Sequence, residues 1–500
     1  MLTATDIKGL CAGEPNFDDM ICSLRAISKQ PKKMWKETQE VVALARKFND
    51  EVVRPYAAQL DRKVQEDPDF LPHEFIEEAN RWGLYTLWIP RIFGGKGYNL
   101  PSFSYFVEEI ASACTAMANL IGVHYLGVAT LISAWNTPII QRVFREVVEG
   151  EQNGQPCLIS LALTEPGAGT DMEETELMDR GNIACHARKV DGGYVVNGSK
   201  VFISNGHLST WHMLYSFADL EKPSSSFVML AVKTGAKGFS FGRKERKMGQ
   251  KGCPASELIF DECFVPDENV CLDPEQMMSL SRSKTETTMQ LIDYVFSASR
   301  AGVGAFGTGV ARGALEAALK FAAETEVEGK LLINHEWAQS MLAQMYRNVL
   351  ISRYAYVESN YANGMDGMFK LLQVKPLYYL TRYAPSAVLN FLVPPFMNSR
   401  LGTWLMRKIH CDRQTQEEIE RTSGLGSLAK FTGTDAGVKN GQLALDLMGQ
   451  AGLRQDRLAE KHLRDAKLMQ IYEGTNQLNR INLFKCLVAK GLPQVSVFTD

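Results

Sequence analysis

The segment IYEGTNQLNR, which begins at Ile471, holds a carboxylate that could abstract a proton. Glu473 follows Tyr472, so its side chain could lie in apolar surroundings. Burial disfavours the charged form of a carboxyl group and raises its pKa toward neutrality, which suits a general base. Gly474 and Thr475 come next and predict a tight turn and a helix N-cap. The other interpretation is a surface glutamate before a helix cap, and this segment taken alone favours it.

The segment LALTEPGAGTD, residues 161–171, could bind a flat or anionic ligand through its backbone. Small residues at 167–169 follow a proline and let backbone N–H groups approach a ligand closely. Thr164 and Thr170 add hydroxyl groups on either side. Taken alone, a plain surface turn is the more favoured interpretation.

The segment NGSKVFISNG, residues 197–206, reads as a strand that could cover a planar ring. Alternation along a strand places Phe202 and Ser204 on one face and Ile203 on the other. An aromatic side chain beside a hydroxyl could stack on a ring and bind its edge. Ordinary strand packing is the alternative interpretation.

The overall composition is that of a globular protein without a general affinity for polyanions. The chain has 500 residues, of which 45% are hydrophobic and 22% are charged, so two to four domains are expected. The formal net charge of −3 gives no general attraction to nucleic acid or to anionic membranes. The ten cysteines form no C-x-x-C pair, so no metal site is expected. A reducing compartment, the cytoplasm, is the simplest prediction, since the first residues do not resemble a signal peptide.

The composition and apolar spacing of the sequence change twice along the chain and predict a multidomain α+β fold. An N-terminal extension (1–35) precedes a helical domain (36–154) with apolar residues at three- and four-residue spacing. A central β domain (155–280) is rich in β-branched residues broken by turn pairs. A C-terminal helical bundle (281–500) follows, with an insertion at about 362–422.

Together these segments resemble the acyl-CoA dehydrogenases, flavoproteins that oxidise an acyl-CoA thioester between its α and β carbons. The resemblance covers about residues 40–490 and implies an N-terminal helical domain, a central β-barrel-like domain and a C-terminal four-helix bundle, with FAD between the last two. The motifs that carry it are IPRIFGGKGYN (89–99), LALTEPGAGTD (161–171), VVNGSKVFISNG (195–206), RKMGQKGCPASELIFDECFVPDENV (246–270) and AKLMQIYEGTNQLNR (466–480), the last preceded by Arg464 and Asp465.

The resemblance assigns roles to individual residues. Glu473 matches the catalytic base, and the residue before Arg300, where a minority of the family carries its base, is Ser299, which cannot serve. The residues that match FAD-binding positions are Leu161, Leu163, Thr164, Gly169, Thr170, Phe202, Ile203, Ser204, Gly449, Thr475 and Gln477. Those expected to contact the acyl-CoA are Thr170, Arg300, Tyr472 and Gly474.

The sequence departs from the family pattern where the ADP part of FAD would bind. Thr325 and Glu328 stand where most members have an arginine and a phenylalanine. Asp446 stands for a glutamine, and Gly449 and Gly452 are what remains of a glycine-rich loop. Acidic residues near a pyrophosphate would repel it, so FAD binding across a subunit interface is a weaker expectation than catalysis at Glu473.

The insertion allows two hypotheses. Residues 367–411 contain six Lys or Arg and no Asp or Glu. The first hypothesis is an extra helical hairpin that covers the protein's own core or a subunit interface. The second is a basic, apolar docking face for a membrane surface or an electron-accepting partner, which would make the protein peripheral at a membrane.

The resemblance implies a specific reaction. FAD-dependent α,β-dehydrogenation of an acyl-CoA, as in the β-oxidation of fatty acids, is expected, with Glu473 taking the α-proton and a hydride passing to flavin N5. Electron-transfer flavoprotein is the expected acceptor, and a homodimer or homotetramer the expected assembly; no nucleic acid is expected. The alternatives are an acyl-CoA oxidase, an enoyl-CoA reductase, and a non-catalytic flavoprotein or nucleic-acid-binding relative.

Overall fold

The computed structural model describes residues 22–368, 370–489 and 495–498. The first described segment corrects one expectation, because part of the predicted irregular extension is a helix, α1 (Cys22–Lys29). Cys22 and Ala26 are buried, and the backbone N–H of Ser23 donates to the Glu358 carboxylate at 3.2 Å. This contact lies more than three hundred residues away in sequence, so local patterning could not have indicated it.

Helices form the N-terminal domain, as the apolar spacing predicts. α5 and α6 are almost wholly buried. By length and composition α6 could cross a membrane, but 89% of its apolar window is buried inside the protein, as in the core helix of a globular domain. The helices are α2 (Lys33–Phe48), α3 (Arg54–Glu66), α4 (His73–Arg81), α5 (Pro101–Ala113), α6 (Thr115–Ser133) and α7 (Thr137–Gln152).

The central domain is an eight-stranded sheet. Its strands are β1 (Ile159–Ala162), β2 (His186–Val190), β3 (Gly193–Ser204), β4 (Trp211–Phe217), β5 (Phe227–Lys233), β6 (Phe239–Lys244), β7 (Ala255–Pro266) and β8 (Val270–Leu272), with the short helix α8 (Thr175–Met178) after β1. The order is β6-β7-β3-β2-β4-β5-β8, and β1 pairs with β4 in parallel. β1 and β3 carry the two segments singled out for ligand binding, and the fold places both beside the helical domains.

Long helices form the C-terminal domain. They are α10 (Lys284–Glu324), α11 (Glu336–Asp366), α15 (Gln416–Met448), α16 (Ala459–Met469) and α17 (Asn476–Leu483); α9 (Pro274–Met277) precedes them, and the two-residue strands β9 (Glu326–Val327) and β10 (Lys330–Leu331) separate α10 from α11. α10 and α15 touch through glycines: a Cβ on Gly307 would lie 2.4 Å from the carbonyl carbon of Gly433. The small residues of α10 therefore allow a backbone-to-backbone approach that larger side chains would prevent.

The insertion forms three short helices rather than a hairpin. They are α12 (Lys375–Tyr383), α13 (Ser386–Met397) and α14 (Arg400–Arg407). Prolines restrict the preceding residue to extended backbone, and Pro385 accordingly separates α12 from α13. The break between the long helices runs from 367 to 415, inside the expected range of about 362–422.

Most basic side chains of the insertion are engaged within the chain. Lys370, Arg382 and Lys408 form ion pairs with Glu418 (3.3 Å), Glu37 (2.6 Å) and Asp412 (2.5 Å), and the buried Arg407 donates to the backbone oxygens of Ala134 and Cys271. The insertion thus covers the protein's own helices. Apolar side chains such as Leu380, Phe391 and Trp404 remain exposed, and a docking face stays a prediction.

Candidate active site

The carboxyl group of Glu473 lies in the turn between α16 and α17. The backbone of Glu473 is left-handed, with φ of +56°, which is unusual for a residue with a side chain. Its Oε2 is buried and, among the described residues, has no hydrogen-bond partner. Burial raises the pKa of this carboxyl, while a hydrogen bond from Ser299 and the charges of Arg300 and Lys430 act in the opposite direction. A carboxylate of this kind is suited to accept a proton.

The buried side chain of Lys430 fixes the turn that carries Glu473. Lys430 Nζ donates to the carbonyl oxygen of Gly474 at 2.6 Å and to Asn476 Oδ1 at 2.7 Å. Burial lowers the pKa of Lys430 to about 7. The hydroxyl of Thr475 accepts the N–H of Leu478 at 3.2 Å, so Thr475 is the N-cap that the sequence predicts. The position of the base is therefore set by the turn and not by its own side chain.

Arg300 lies behind the base instead of in the open cavity. Its Nη2 forms a buried ion pair with Glu173 Oε2 at 2.8 Å, and its Nε donates to the carbonyl oxygen of Glu473 at 3.3 Å. Only 2% of Arg300 is exposed. Sequence reasoning expected Arg300 near the CoA and missed Glu173 and Lys430, whose roles appear only when four distant segments meet.

A buried ion pair holds the loop that follows β1. Lys200 Nζ lies 2.7 Å from Glu165 Oε1 and donates to the carbonyl oxygen of Leu163 at 2.8 Å. The other carboxylate oxygen of Glu165 accepts the backbone N–H groups of Ala184 and Cys185. Both side chains belong to the segments 161–171 and 197–206, but no pattern in the sequence indicates that they form a pair. The pair fixes the backbone of Leu163 and Thr164 where they meet the cavity.

Phe202 stands out from β3 toward the open space. The pairing of β3 with β7 is irregular between Lys200 and Ile203, and Phe202 has a φ of +59°. As a result 57% of Phe202 is exposed, whereas Ile203 is 3% exposed and packs into the sheet core. An exposed aromatic ring beside Ser204 is a surface that a planar ligand would cover.

One cavity of about 700 Å³ joins these features. Its lining includes most residues that the sequence assigned to ligands: Leu161, Leu163, Thr164, Gly169, Thr170, Phe202, Ile203, Ser204, Tyr472, Glu473, Gly474 and Thr475. Ser299, next to the base, also lines it. Residues from β1, β3, α10 and the α16–α17 turn, far apart in sequence, therefore face one space.

The isoalloxazine end of FAD fits this cavity. The exposed Phe202 ring and the open space at Gly169, where the nearest atom to an added Cβ is 4.0 Å away, leave room for a flat ring system. Gly449 and Gln477 are exposed and lie outside the cavity lining. Glu328 lies in the exposed turn between β9 and β10, with φ of +52°. How the ADP part would be held therefore stays a prediction.

Comparisons with known proteins match most of the chain to one family. Three family models match: the N-terminal domain of acyl-CoA dehydrogenase over residues 36–151, its middle domain over 160–263, and its C-terminal domain over 289–364 and 405–487. The break in the last match coincides with the insertion.

The chain matches individual relatives over nearly their full length. The probable acyl-CoA dehydrogenase FadE25 of Mycobacterium tuberculosis is 26% identical over 95% of this chain and 99% of its own. The butyryl-CoA dehydrogenase of Megasphaera elsdenii has a similar fold, with a TM-score of 0.69 and 22% identity over 90% of this chain and 98% of its own. A glutaryl-CoA dehydrogenase of Mycobacterium smegmatis in complex with FADH2 matches with a TM-score of 0.68 and 17% identity over 92% and 95% of the two chains.

Proposed function

Since the chain belongs to the acyl-CoA dehydrogenase family of FAD-dependent oxidoreductases, we propose that it oxidises an acyl-CoA between the α and β carbons with Glu473 as the base. The observation that carries this proposal is the buried carboxyl of Glu473, whose Oε2 has no partner among the described residues and whose side chain lines the same cavity as Phe202 and Thr164. A base and a flavin-binding surface that face one cavity are what the reaction requires.

The protein's part in the reaction is to hold the thioester and take one proton. Glu473 accepts the α-proton, since burial keeps its carboxylate poorly solvated and basic. Among the described residues no backbone oxygen accepts the N–H of Glu473, so this donor is available to the thioester carbonyl, where enolate charge builds. FAD, when bound against Phe202 and the 161–171 loop, supplies the hydride acceptor. The half-buried Tyr472 and the apolar lining limit the access of water to the reacting atoms.

The electron acceptor distinguishes a dehydrogenase from an oxidase of the same fold. We propose electron-transfer flavoprotein as the acceptor and a homodimer or homotetramer as the assembly, and family membership supports both. Exposed apolar residues on α11 such as Ile351 and Tyr354 are a surface that a second subunit could cover. An acyl-CoA oxidase differs in one measurable property. Rapid reoxidation of the reduced flavin by air would replace the dehydrogenase proposal with the oxidase.

The direct test is the visible spectrum of the purified protein during anaerobic addition of acyl-CoAs. We expect the flavin absorbance band to bleach with at least one straight-chain acyl-CoA, because reduction of the flavin removes this band. Free CoA at equal concentration is the control and should leave the spectrum unbleached. A protein that binds FAD but is not bleached by any acyl-CoA would contradict the proposal, as would one that cannot be reconstituted with FAD.

The proposed base also predicts how activity changes with pH. The folded pKa of Glu473 is raised, so at low pH the carboxyl carries a proton and cannot accept another. We therefore expect kcat/KM to rise with pH through this raised pKa and to level off above it. Because the Ser299 hydrogen bond stabilises the carboxylate, Ser299→Ala should shift the midpoint to higher pH. A profile that falls with pH in this range, or a downward shift in the variant, would contradict the assignment.

A further inference from the structure

The cavity continues past the base as far as the insertion. Tyr378, Thr381 and Arg382 of α12 belong to its lining, together with Tyr98 and Pro101, which lie just before and at the first residue of α5. The segment between 364 and 405, which contains α12, lies outside the matched family domain. A part of the chain that the family model does not describe therefore forms part of the wall of the proposed substrate cavity.

The two ends of the cavity differ in exposure. On the flavin side, next to the base, lining residues are open to solvent: 57% of Phe202 and 58% of Ile471 are exposed. At the α12 end, Tyr378 is 4% exposed, Asn99 8% and Trp88 7%. A hydrophilic CoA moiety would remain at the exposed end, so the α12 end is the place for the far end of an acyl chain.

Aromatic rings line the space that leads to α12. The ring of Trp88 lies 5.1 Å from that of Phe103 and 4.7 Å from that of Tyr125, both at steep angles. Beside them, a Cβ added to Gly122 would lie 2.6 Å from Phe306 Cζ, so Gly122 allows the Phe306 ring to pack directly against α6. Such a lining favours a hydrocarbon chain through burial of apolar surface.

A buried carboxylate fixes α12 against the helical domain. Glu37 Oε1 accepts from Tyr378 Oη at 2.7 Å and from Arg382 Nε at 2.6 Å, while Asn99 Nδ2 donates to Glu37 Oε2 at 3.1 Å. The guanidinium of Arg382 also lies 4.7 Å from the centre of the Tyr98 ring. α12 is therefore a fixed wall, because its polar groups are bonded to a helix that begins near the N-terminus.

Polar groups on each of the named side chains of this wall already donate to protein oxygens. The Thr381 hydroxyl donates to the carbonyl oxygen of Leu377 at 2.9 Å, and Tyr378 and Arg382 donate to Glu37. Arg91, also in the lining, donates to the carbonyl oxygen of Ala384 at 3.3 Å. A carboxylate at the end of an acyl chain would have to compete with these bonds, whereas a methyl end needs no polar partner.

We propose that α12 is the end wall of the acyl cavity and that the cavity takes long, straight acyl chains with a hydrocarbon end. This inference rests on the proposed function, since it names the substrate class of the same site. Thr381 is then a specificity-determining residue, and the length of chain that fits is set by a segment that lies outside the matched family domain.

The test compares two tryptophan substitutions at neighbouring positions of α12. Thr381→Trp would fill the end of the cavity, whereas Leu380→Trp changes a side chain that is 59% exposed and lies outside the lining. The measured quantity is the ratio of kcat/KM for palmitoyl-CoA to that for butyryl-CoA. We expect this ratio to fall by roughly tenfold or more in Thr381→Trp, because a few methylenes would be excluded, and to stay within about twofold in Leu380→Trp.

Binding measured by calorimetry in the Glu473→Gln background gives a second readout without turnover. Thr381→Trp should weaken the binding of palmitoyl-CoA more than that of butyryl-CoA. If the tryptophan variant does not fold, Thr381→Met is a smaller change that should have the same effect to a lesser degree. An unchanged ratio and unchanged binding in a folded Thr381 variant would contradict the proposal that α12 is the end wall of the cavity. A preference of the native protein for an ω-carboxyacyl-CoA over the methyl-ended chain of equal length would contradict the proposal that the cavity takes chains with a hydrocarbon end. If the flavin is bleached by no acyl-CoA at all, the proposed function fails first, which is a distinguishable result.

Discussion

Replacing Glu473 with glutamine is expected to lower kcat by about 10²–10⁴-fold, the usual contribution of a general base. Glutamine keeps the shape of the side chain but cannot accept the α-proton, and the turn that holds it depends on Lys430 and Thr475, not on the carboxyl group. FAD binding should therefore survive, so that the protein stays yellow while acyl-CoA no longer bleaches it.

The matched control for this experiment is Glu460→Gln on the preceding helix. Glu460 pairs with Arg464 and is 38% exposed in its side chain, outside the cavity. Its replacement should leave kcat within about threefold, because Glu460 does not line the cavity in which the reaction takes place. Stopped-flow reduction of the flavin separates proton abstraction from later steps. If Glu473→Gln keeps more than about a tenth of the native rate, the base is another group.

Replacing Lys200 with methionine is expected to lower the free energy of unfolding by about 3–5 kcal/mol, because it leaves a buried carboxylate without its partner. Lys200 and Glu165 have side chains that are 0% and 1% exposed and lie 2.7 Å apart. The loop at 161–171 should also lose its fixed backbone, so we expect weaker FAD binding. Urea denaturation and FAD titration measure the two effects.

Two comparisons isolate the ion pair. Lys189→Met removes a pair with Asp267 in which both side chains are about half exposed. It should lower the free energy of unfolding by no more than about 1 kcal/mol. The double variant Lys200→Met with Glu165→Gln should cost less than the sum of the two single changes, since neither charge then remains buried alone. Additive costs, or a loss for Lys200→Met equal to that of Lys189→Met, would show that the pair is not what holds the loop.

The predicted fold is confirmed. It could be predicted because the patterns that indicate it are local and recur over many residues. Apolar periodicity over 36–154 and β-branched runs over 155–280 each span many residues, so small errors do not change the fold class. The family models then match the three regions in the same order. The helix at Cys22–Lys29 was missed because it is stabilised by a distant contact with Glu358.

The sequence by itself identified Glu473 as the candidate base, Thr475 as a helix N-cap and Phe202 as part of the candidate flavin surface, because the short segments that contain them together resemble one family. Only the tertiary structure decided which charges support them. Arg300 meets Glu173, Lys200 meets Glu165, and Glu37 meets Arg382 across up to 345 residues of sequence. A buried charge is stable only beside its partner, and which partner it meets depends on how the domains pack, which no local pattern records.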